Sequence, residues 1–376
     1  MFDVLFSVAI SFAITFLAIP VIITVADRKK LYDIPDERKV HRNPIPSLGG
    51  LGIFAGFIIA CLITIPFSGS SEFQYFFAAS FVIFFLGLKD DILVISPIKK
   101  FIGQVLAAFL IVYKGNVQIS SMHGFLGIYE LPEMFSLLFT YLTIIVIVNS
   151  FNLIDGIDGL AGSLGLMATT VFGLYFLVVQ MPGYAVLSFS LAGSLAAFLL
   201  FNFQPAKIFM GDTGSMLIGL INAILVIKLI NVANVASVPY PLEAAPAIGF
   251  AILMIPLLDT LRVFAIRIVH GRSPFSPDRN HIHHLLLDKG LSHRGIALTL
   301  VSVNIFFIIA AYAGRQLLGC TWMILAICGI FFAGIAVLYY TRRTRPRLFV
   351  AKAAEADKNA SKIVPLTQDT ILEQKN

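Results

Sequence analysis

Continuous apolar blocks, most of them about as long as a bilayer is thick, constrain this chain more than any other feature. Eleven can be marked, at 4–26, 48–66, 73–88, 101–113, 134–151, 159–180, 184–202, 213–232, 245–268, 296–314 and 320–340. A membrane-spanning helix needs roughly 17–25 apolar residues, and all but the 101–113 block approach or reach that length. That block is short; it extends back to Pro97, or is tilted or partly buried. The blocks do not alternate apolar with polar residues, which argues against an outer-membrane barrel. Composition agrees: 58% of the 376 residues are hydrophobic and 13% charged, where a soluble domain is about half apolar and a quarter charged. The expected fold is all-α and polytopic, with about eleven transmembrane helices in one domain over 1–340. A polar tail over 341–376 is expected to be disordered or a short surface helix.

The first block is not read as a signal peptide. Asp3 precedes it, no basic n-region is present, and the positive charge at Arg28-Lys29-Lys30 follows it. That pattern fits a retained helix with its N-terminus outside. With eleven crossings, 23 of the 27 Lys and Arg residues fall on one side, counting Arg267 at the end of its helix. The bias marks that side, with the C-terminus, as cytoplasmic. The net charge of +6 then reflects topology and anionic headgroups and needs no nucleic-acid partner. Cys61, Cys320 and Cys328 show no metal spacing and no disulfide framework.

Four polar clusters break the apolar pattern, and the charge count puts all four on the cytoplasmic face. They are Asp90-Asp91 in LGLKDDILVISPIKK, the stretch VNSFNLIDGIDGLAGSLG from Val148, Asp212 in FMGDTGS, and PDRNHIHHLLLDKG from Pro277. In the second, Asn149, Asn152, Asp155 and Asp158 recur every third residue, and so do Gly156, Gly159, Gly162 and Gly165. Each cluster has a bland reading. Asp90-Asp91 could be a solvated helix end, Asp212 an N-cap before Thr213, the glycines a helix-packing face, and the histidines surface residues. Asp259 and Arg262, three apart in one block, are most simply an internal ion pair. Taken together the clusters say more. Asp and Asn oxygens suit Mg²⁺, which takes one or two carboxylates plus substrate phosphates. Lys, Arg and His suit phosphate. A site at headgroup level can join a soluble phosphorylated donor to a lipid phosphate.

These residues, in this order, resemble the polyprenyl-phosphate N-acetylhexosamine-1-phosphate transferases. The resemblance is carried by Asp90-Asp91, Lys100, NxxDGxDGLAG from Asn152, FMGDTGS from Phe209, DRNHIHH from Asp278 and HRNPIPSLGG from His41, and covers residues 1–340. It implies transfer of a sugar 1-phosphate from a UDP-sugar to undecaprenyl phosphate, with release of UMP, at the bacterial inner membrane. It further implies that Asn152 and Asp212 hold Mg²⁺, with Mn²⁺ as the alternative ion. Asp90 and Asp91 match the catalytic acidic pair, and Lys100 a phosphate-contacting lysine. Asp155 and Asp158 match donor-binding positions near the nucleotide. Arg279, His281, His283 and His284 match the segment near the sugar and diphosphate. The implied partners are a UDP-sugar, undecaprenyl phosphate and membrane lipid, and a homodimer is an assembly open to such a chain.

A phosphate monoester has a second pKa of about 6, so the attacking phosphate is largely ionised, and Asp90 or Asp91 is expected to orient it or take its last proton. A covalent aspartyl-phosphate route stays open. A secondary transporter also places Asp and Asn at Gly-broken helices, but near the midplane and with inverted repeats; neither is visible here. A CDP-alcohol phosphotransferase would need an Arg and downstream carboxylates that DGIDGLAG lacks. Phospho-MurNAc-pentapeptide transferases carry three consecutive histidines, whereas this chain has His281-Ile282-His283-His284. The branch that starts O-antigen, enterobacterial common antigen or teichoic-acid chains is the better match. The expected donor is UDP-N-acetylglucosamine, with another UDP-N-acetylhexosamine as the alternative.

Overall fold

In a computed structural model of the chain, residues 1–31, 45–66, 71–233, 239–273 and 280–341 are described. Arg279, Asp278, His41 and the tail from 342 lie outside them. Lipid offers the backbone no hydrogen-bond partner, so apolar segments must satisfy their own amides and form helices. Every one of the eleven blocks does so. The helices are α1 (Phe2–Lys29), α2 (Gly49–Thr64), α3 (Glu72–Ile92), α4 (Pro97–Phe109), α5 (Glu133–Ile154), α6 (Leu160–Val178), α7 (Pro182–Asn202) and α8 (Gly211–Val232), followed by α9 (Ala245–Ile252), α10 (Met254–Val269), α11 (Ile282–Asp288), α12 (His293–Gly314) and α13 (Cys320–Tyr340). The short 101–113 block does reach back to Pro97, which opens α4 where its missing N–H costs nothing. A π-helical turn, Leu110–Lys114, extends it.

Among the described residues, seven helices are long and apolar enough to cross a membrane, or eight if the bent pair α9–α10 is one span. The chain is therefore an all-α, multi-span membrane protein; of the eleven expected spans, α2 (16 residues), α3 (21 residues) and α4 (13 residues) are not among these. One element was not foreseen. Strands β1 (Ser121–Phe125) and β2 (Ile128–Glu130) form an antiparallel hairpin between α4 and α5. Its two-residue turn, Leu126-Gly127, has positive φ at both positions, as a tight hairpin turn requires. Leu126 N also donates to Thr321 Oγ1 of α13 at 2.7 Å.

Helix α8 is the axis of the bundle. In its most apolar window 83% of residues are buried, against 17% in α1 and 22% in α13. Helices α2, α3, α5 and α6 pack around it. Helix directions alternate, so one end of the bundle gathers the starts of α2, α4, α6, α8 and α12 with the ends of α3, α5, α7, α10 and α13. Gly49 N donates to Phe209 O and Gly50 N to Met210 O, Gly159 N to Asn202 Oδ1, and Arg262 to Tyr339. The opposite end carries Glu72, bonded to Tyr184 and paired with Lys228.

The 245–268 block is broken, with α9 and α10 meeting at 80°. The cause is local. Pro256 has no N–H to give the Ile252 carbonyl four residues back. Asn304 of α12 replaces the lost backbone bonds: its Nδ2 donates to Ala251 O at 3.0 Å and Ile252 O at 3.1 Å, and its Oδ1 accepts from Ile255 N at 3.3 Å. Asn304 is fully buried. Asn304→Leu should therefore lower unfolding stability in detergent by at least about 1–3 kcal/mol, the cost of an orphaned buried polar group. An unchanged unfolding midpoint would contradict this account of the break.

Candidate active site

The gathered bundle end brings together most of the residues singled out in the sequence. The last turn of α3 presents Asp90 and Asp91. Asp91 caps α8: its Oδ1 accepts from Asp212 N at 2.7 Å, and its Oδ2 from Thr213 N at 3.1 Å and Thr213 Oγ1 at 2.5 Å. The positive end of the α8 dipole favours a carboxylate there. Gly211 makes the contact possible. Its φ is +72°, and a Cβ would collide with Ser47 O and stand 2.7 Å from both Asp91 oxygens. Asp90 turns the other way, accepting from Ile95 N at 2.7 Å and pairing with Lys100 Nζ at 2.7 Å. Lys100 also pairs with Asp212 Oδ2. Asn152, at the end of α5, donates to Asp212 Oδ1 at 2.9 Å and Ser215 Oγ at 3.1 Å.

The polar triplets that follow α5 divide by role. Asn149 lies one turn inside and pairs with Gln104 at 2.8 Å; it is not part of the site. Asp155 follows α5 and makes no hydrogen bond to another described residue. Burial, then the charges of Asp212, Asp91 and Asp158, push its carboxyl up to about 8. Such crowding of acids invites a cation. Asp158 is buried and ties the α5–α6 loop to the start of α12 through His293 Nδ1, 3.3 Å away. Gly162 and Gly165 do pack helices, against Leu199 and Ile218, but Gly156 faces the histidines. A Cβ there would lie 2.5 Å from His283 Nε2.

The histidines form a second layer. His281 Nδ1 lies 2.8 Å from Asp259 Oδ2. Asp259 Oδ1 accepts from Arg262 Nη2 at 2.8 Å and from Ile282 N at 2.9 Å. The expected Asp259–Arg262 pair is therefore present and also holds the histidine segment. His283 is 1% exposed, and neither ring nitrogen has a partner among the described residues. Burial, then the neighbouring His284, hold it well below the usual imidazole range, so it stays neutral. Its ring lies 4.2 Å from that of His284 and 5.6 Å from that of His281.

Sequence reasoning missed His293, Thr213 and Ser215. A His in the first turn after the capping Ser292 was the available signal for the first. The others are ordinary polar residues until the helices are assembled. No three His, Cys, Asp or Glu side chains among the described residues are grouped to cage a metal. Mg²⁺ does not need a cage, because one or two carboxylates and substrate phosphates suffice. Asp212 and Asn152 carry oxygens of that kind, and Asp155 lies close enough to feel the charge of Asp212.

A membrane chain with these polar clusters has similar sequences among known proteins. The family described as glycosyl transferase family 4 matches residues 73–230. A decaprenyl-phosphate N-acetylglucosaminephosphotransferase of Mycobacterium leprae is 37% identical over 315 residues, covering 76% of this chain and 77% of that protein. The chain belongs to glycosyl transferase family 4. A probable undecaprenyl-phosphate N-acetylglucosaminyl 1-phosphate transferase of Bacillus subtilis is 32% identical, covering 81% and 84% of the two chains. An undecaprenyl-phosphate α-N-acetylglucosaminyl 1-phosphate transferase of Haemophilus influenzae is 33% identical, covering 79% and 83%. The segment matched to the family runs from α3 to α8 and holds Asp90, Asp91, Lys100, Asn152, Asp155, Asp158 and Asp212. The histidine layer lies beyond it.

In this family 4 chain Asp91 joins α3 to α8 through three hydrogen bonds. Asp91→Ala should cost about 1–2 kcal/mol of stability, as loss of a helix cap does. Denaturant or thermal unfolding of the detergent-solubilised protein measures it, and wild-type stability would rule out the capping role.

Proposed function

We propose that the protein transfers N-acetylglucosamine 1-phosphate from UDP-N-acetylglucosamine to undecaprenyl phosphate, releasing UMP and starting a lipid-linked cell-surface polysaccharide. The observation that carries the reading is the placement of Lys100 between Asp90 and Asp212, beside Asn152, at the end of a membrane bundle. A phosphate can take Lys100 from its carboxylates, and a cation can take Asp212 from Lys100. The names of the relatives, which specify a polyprenyl phosphate and N-acetylglucosamine, support the same choice.

The chemistry follows from phosphoryl transfer. An oxygen of the lipid phosphate attacks the donor's β-phosphorus in line. The bond from that phosphorus to the bridging oxygen breaks, and the electron pair leaves with UMP. Catalysis of this kind is mainly positioning and charge stabilisation. Lys100 holds a phosphate oxygen against the repulsion of the acidic cluster. Asp90 orients the attacking phosphate or removes its remaining proton. Asp91, with both oxygens on α8, holds Asp212 in place. Asp155 and Asp158 belong to the donor side. His281, His283 and His284 stand near the sugar and diphosphate, as does Arg279 by its place in the sequence. Mg²⁺, or Mn²⁺ in its place, would be held by Asp212 and Asn152 and would neutralise charge on the donor diphosphate.

The chain crosses the inner membrane eleven times in this reading, with the catalytic end in the cytoplasm. The alternating helix directions and the Lys and Arg bias support that orientation. Cysteines introduced at Ser96 and Ser71 test it: an impermeant thiol reagent added outside should label the second and spare the first. The reversed pattern would refute the orientation.

Purified protein given equal concentrations of different UDP-sugars tests the activity. Lipid-linked product is expected with UDP-N-acetylglucosamine and Mg²⁺, and use of UDP-MurNAc-pentapeptide alone would overturn the donor assignment. Asp212→Ala should reduce transfer by at least about 10²–10³-fold, as losing a central electrostatic group does, while the protein remains folded. Near-normal turnover by that variant would sink its role.

A further inference from the structure

Asp259 and Arg262 satisfy the ordinary needs of a buried ion pair, yet Asp259 does more than that. Its Oδ2 accepts from His281 Nδ1 at 2.8 Å, and its Oδ1 accepts from both Arg262 and the Ile282 amide. Arg262 in turn bonds the Asn280 carbonyl and Tyr339 Oη. A carboxylate beside a guanidinium is ionised and can only accept hydrogen bonds. His281 must therefore carry its proton on Nδ1 where it meets Asp259. Its Nε2, with no partner among the described residues, is left with a lone pair when the ring is neutral. The ring is buried and lies parallel to that of His283, within 5°. His283 in turn rests on Gly156 of the segment after α5. His281 thus stands close to the donor side of the site, next to the ring that meets Gly156.

We infer that Asp259 is a positioning residue for the transfer reaction: it fixes the tautomer and orientation of His281, so that Nε2 accepts a hydrogen bond from an O–H or N–H of the donor sugar. The inference rests on the transferase reading above. Orienting partners of this kind set which imidazole nitrogen is available and where it points. The charged and titratable groups around the contact are Arg262 on the same helix and His283 and His284 on α11. The bend at Asn304 sets the direction of the helix that carries Asp259.

A double-mutant cycle with Asp259→Asn and His281→Gln tests the inference. The first substitution leaves a side-chain oxygen that can still bond Arg262. The second keeps an acceptor near the position of Nε2 that does not need Asp259 to orient it. Asp259→Asn alone should slow transfer about 10–100-fold, the usual loss for an orienting partner, with the effect on kcat. In the His281→Gln background the same change should cost no more than about 3-fold, because coupled residues are not additive. Losses that multiply would overturn the inference. ¹⁵N-histidine spectra of the wild-type protein give an answer even if Asp259→Asn fails to fold. The resonance lost in His281→Gln should report a protonated Nδ1, and a proton on Nε2 alone would overturn the assignment. Absence of transfer by the wild-type protein would instead remove the transferase reading and the reaction assigned to His281. Wild-type transfer with multiplying losses would remove this inference alone.

Discussion

Everything at the catalytic end depends on how carboxylates are kept at the edge of hydrocarbon. An isolated buried charge is too costly to persist, and here three of the acids are paired in two ways. Asp91 is neutralised by the start of α8, and Asp90 and Asp212 share Lys100. Asn152 adds a fourth helix to the same carboxylate. The register of α3, α4, α5 and α8 is tied to this one arrangement. In the proposed reaction the arrangement is also exchangeable: a substrate phosphate offers Lys100 another anion, and a divalent cation offers Asp212 another partner. Charges stay paired before and after binding, so the site can open without exposing a lone buried ion.

The second layer obeys the same constraint through a longer route. Pro256 breaks the ninth apolar block, and Asn304 satisfies the backbone groups that the break releases. The redirected helix α10 carries Asp259 and Arg262, whose mutual pairing lets both be buried. Their remaining hydrogen-bonding capacity fastens the segment from Asn280 to Ile282. The histidine segment is thus held by a helix whose direction the break sets.

Much of this could be read from the sequence, because hydrocarbon allows few alternatives. The block at 320–340 is α13 to the residue, and 184–202 lies within two residues of α7. The convergence of Asp90, Lys100, Asn152 and Asp212 was legible because charged residues are rare in such a chain and fall at helix ends. Their division of labour was not. Asp90 and Asp91 are adjacent and chemically identical, and only the approach of Gly211 shows which one caps α8. Asn149 and Asn152 differ by three residues, and only the position of Gln104 shows that one of them packs inside. The α9–α10 break gave one clue, Pro256, in a block otherwise indistinguishable from a straight span. The β1–β2 hairpin, with strands only five and three residues long, had too weak an alternation to stand out.

In the proposed reaction the sugar moves together with one phosphate. UDP-N-acetylglucosamine carrying ³²P in either the α- or the β-phosphate tests this with purified protein and undecaprenyl phosphate. The β label should enter the lipid fraction in equal amount to the sugar, while the α label should appear only in UMP. Sugar in the lipid fraction with both labels left in UDP would contradict the account, because the bond broken would then be the glycosidic one.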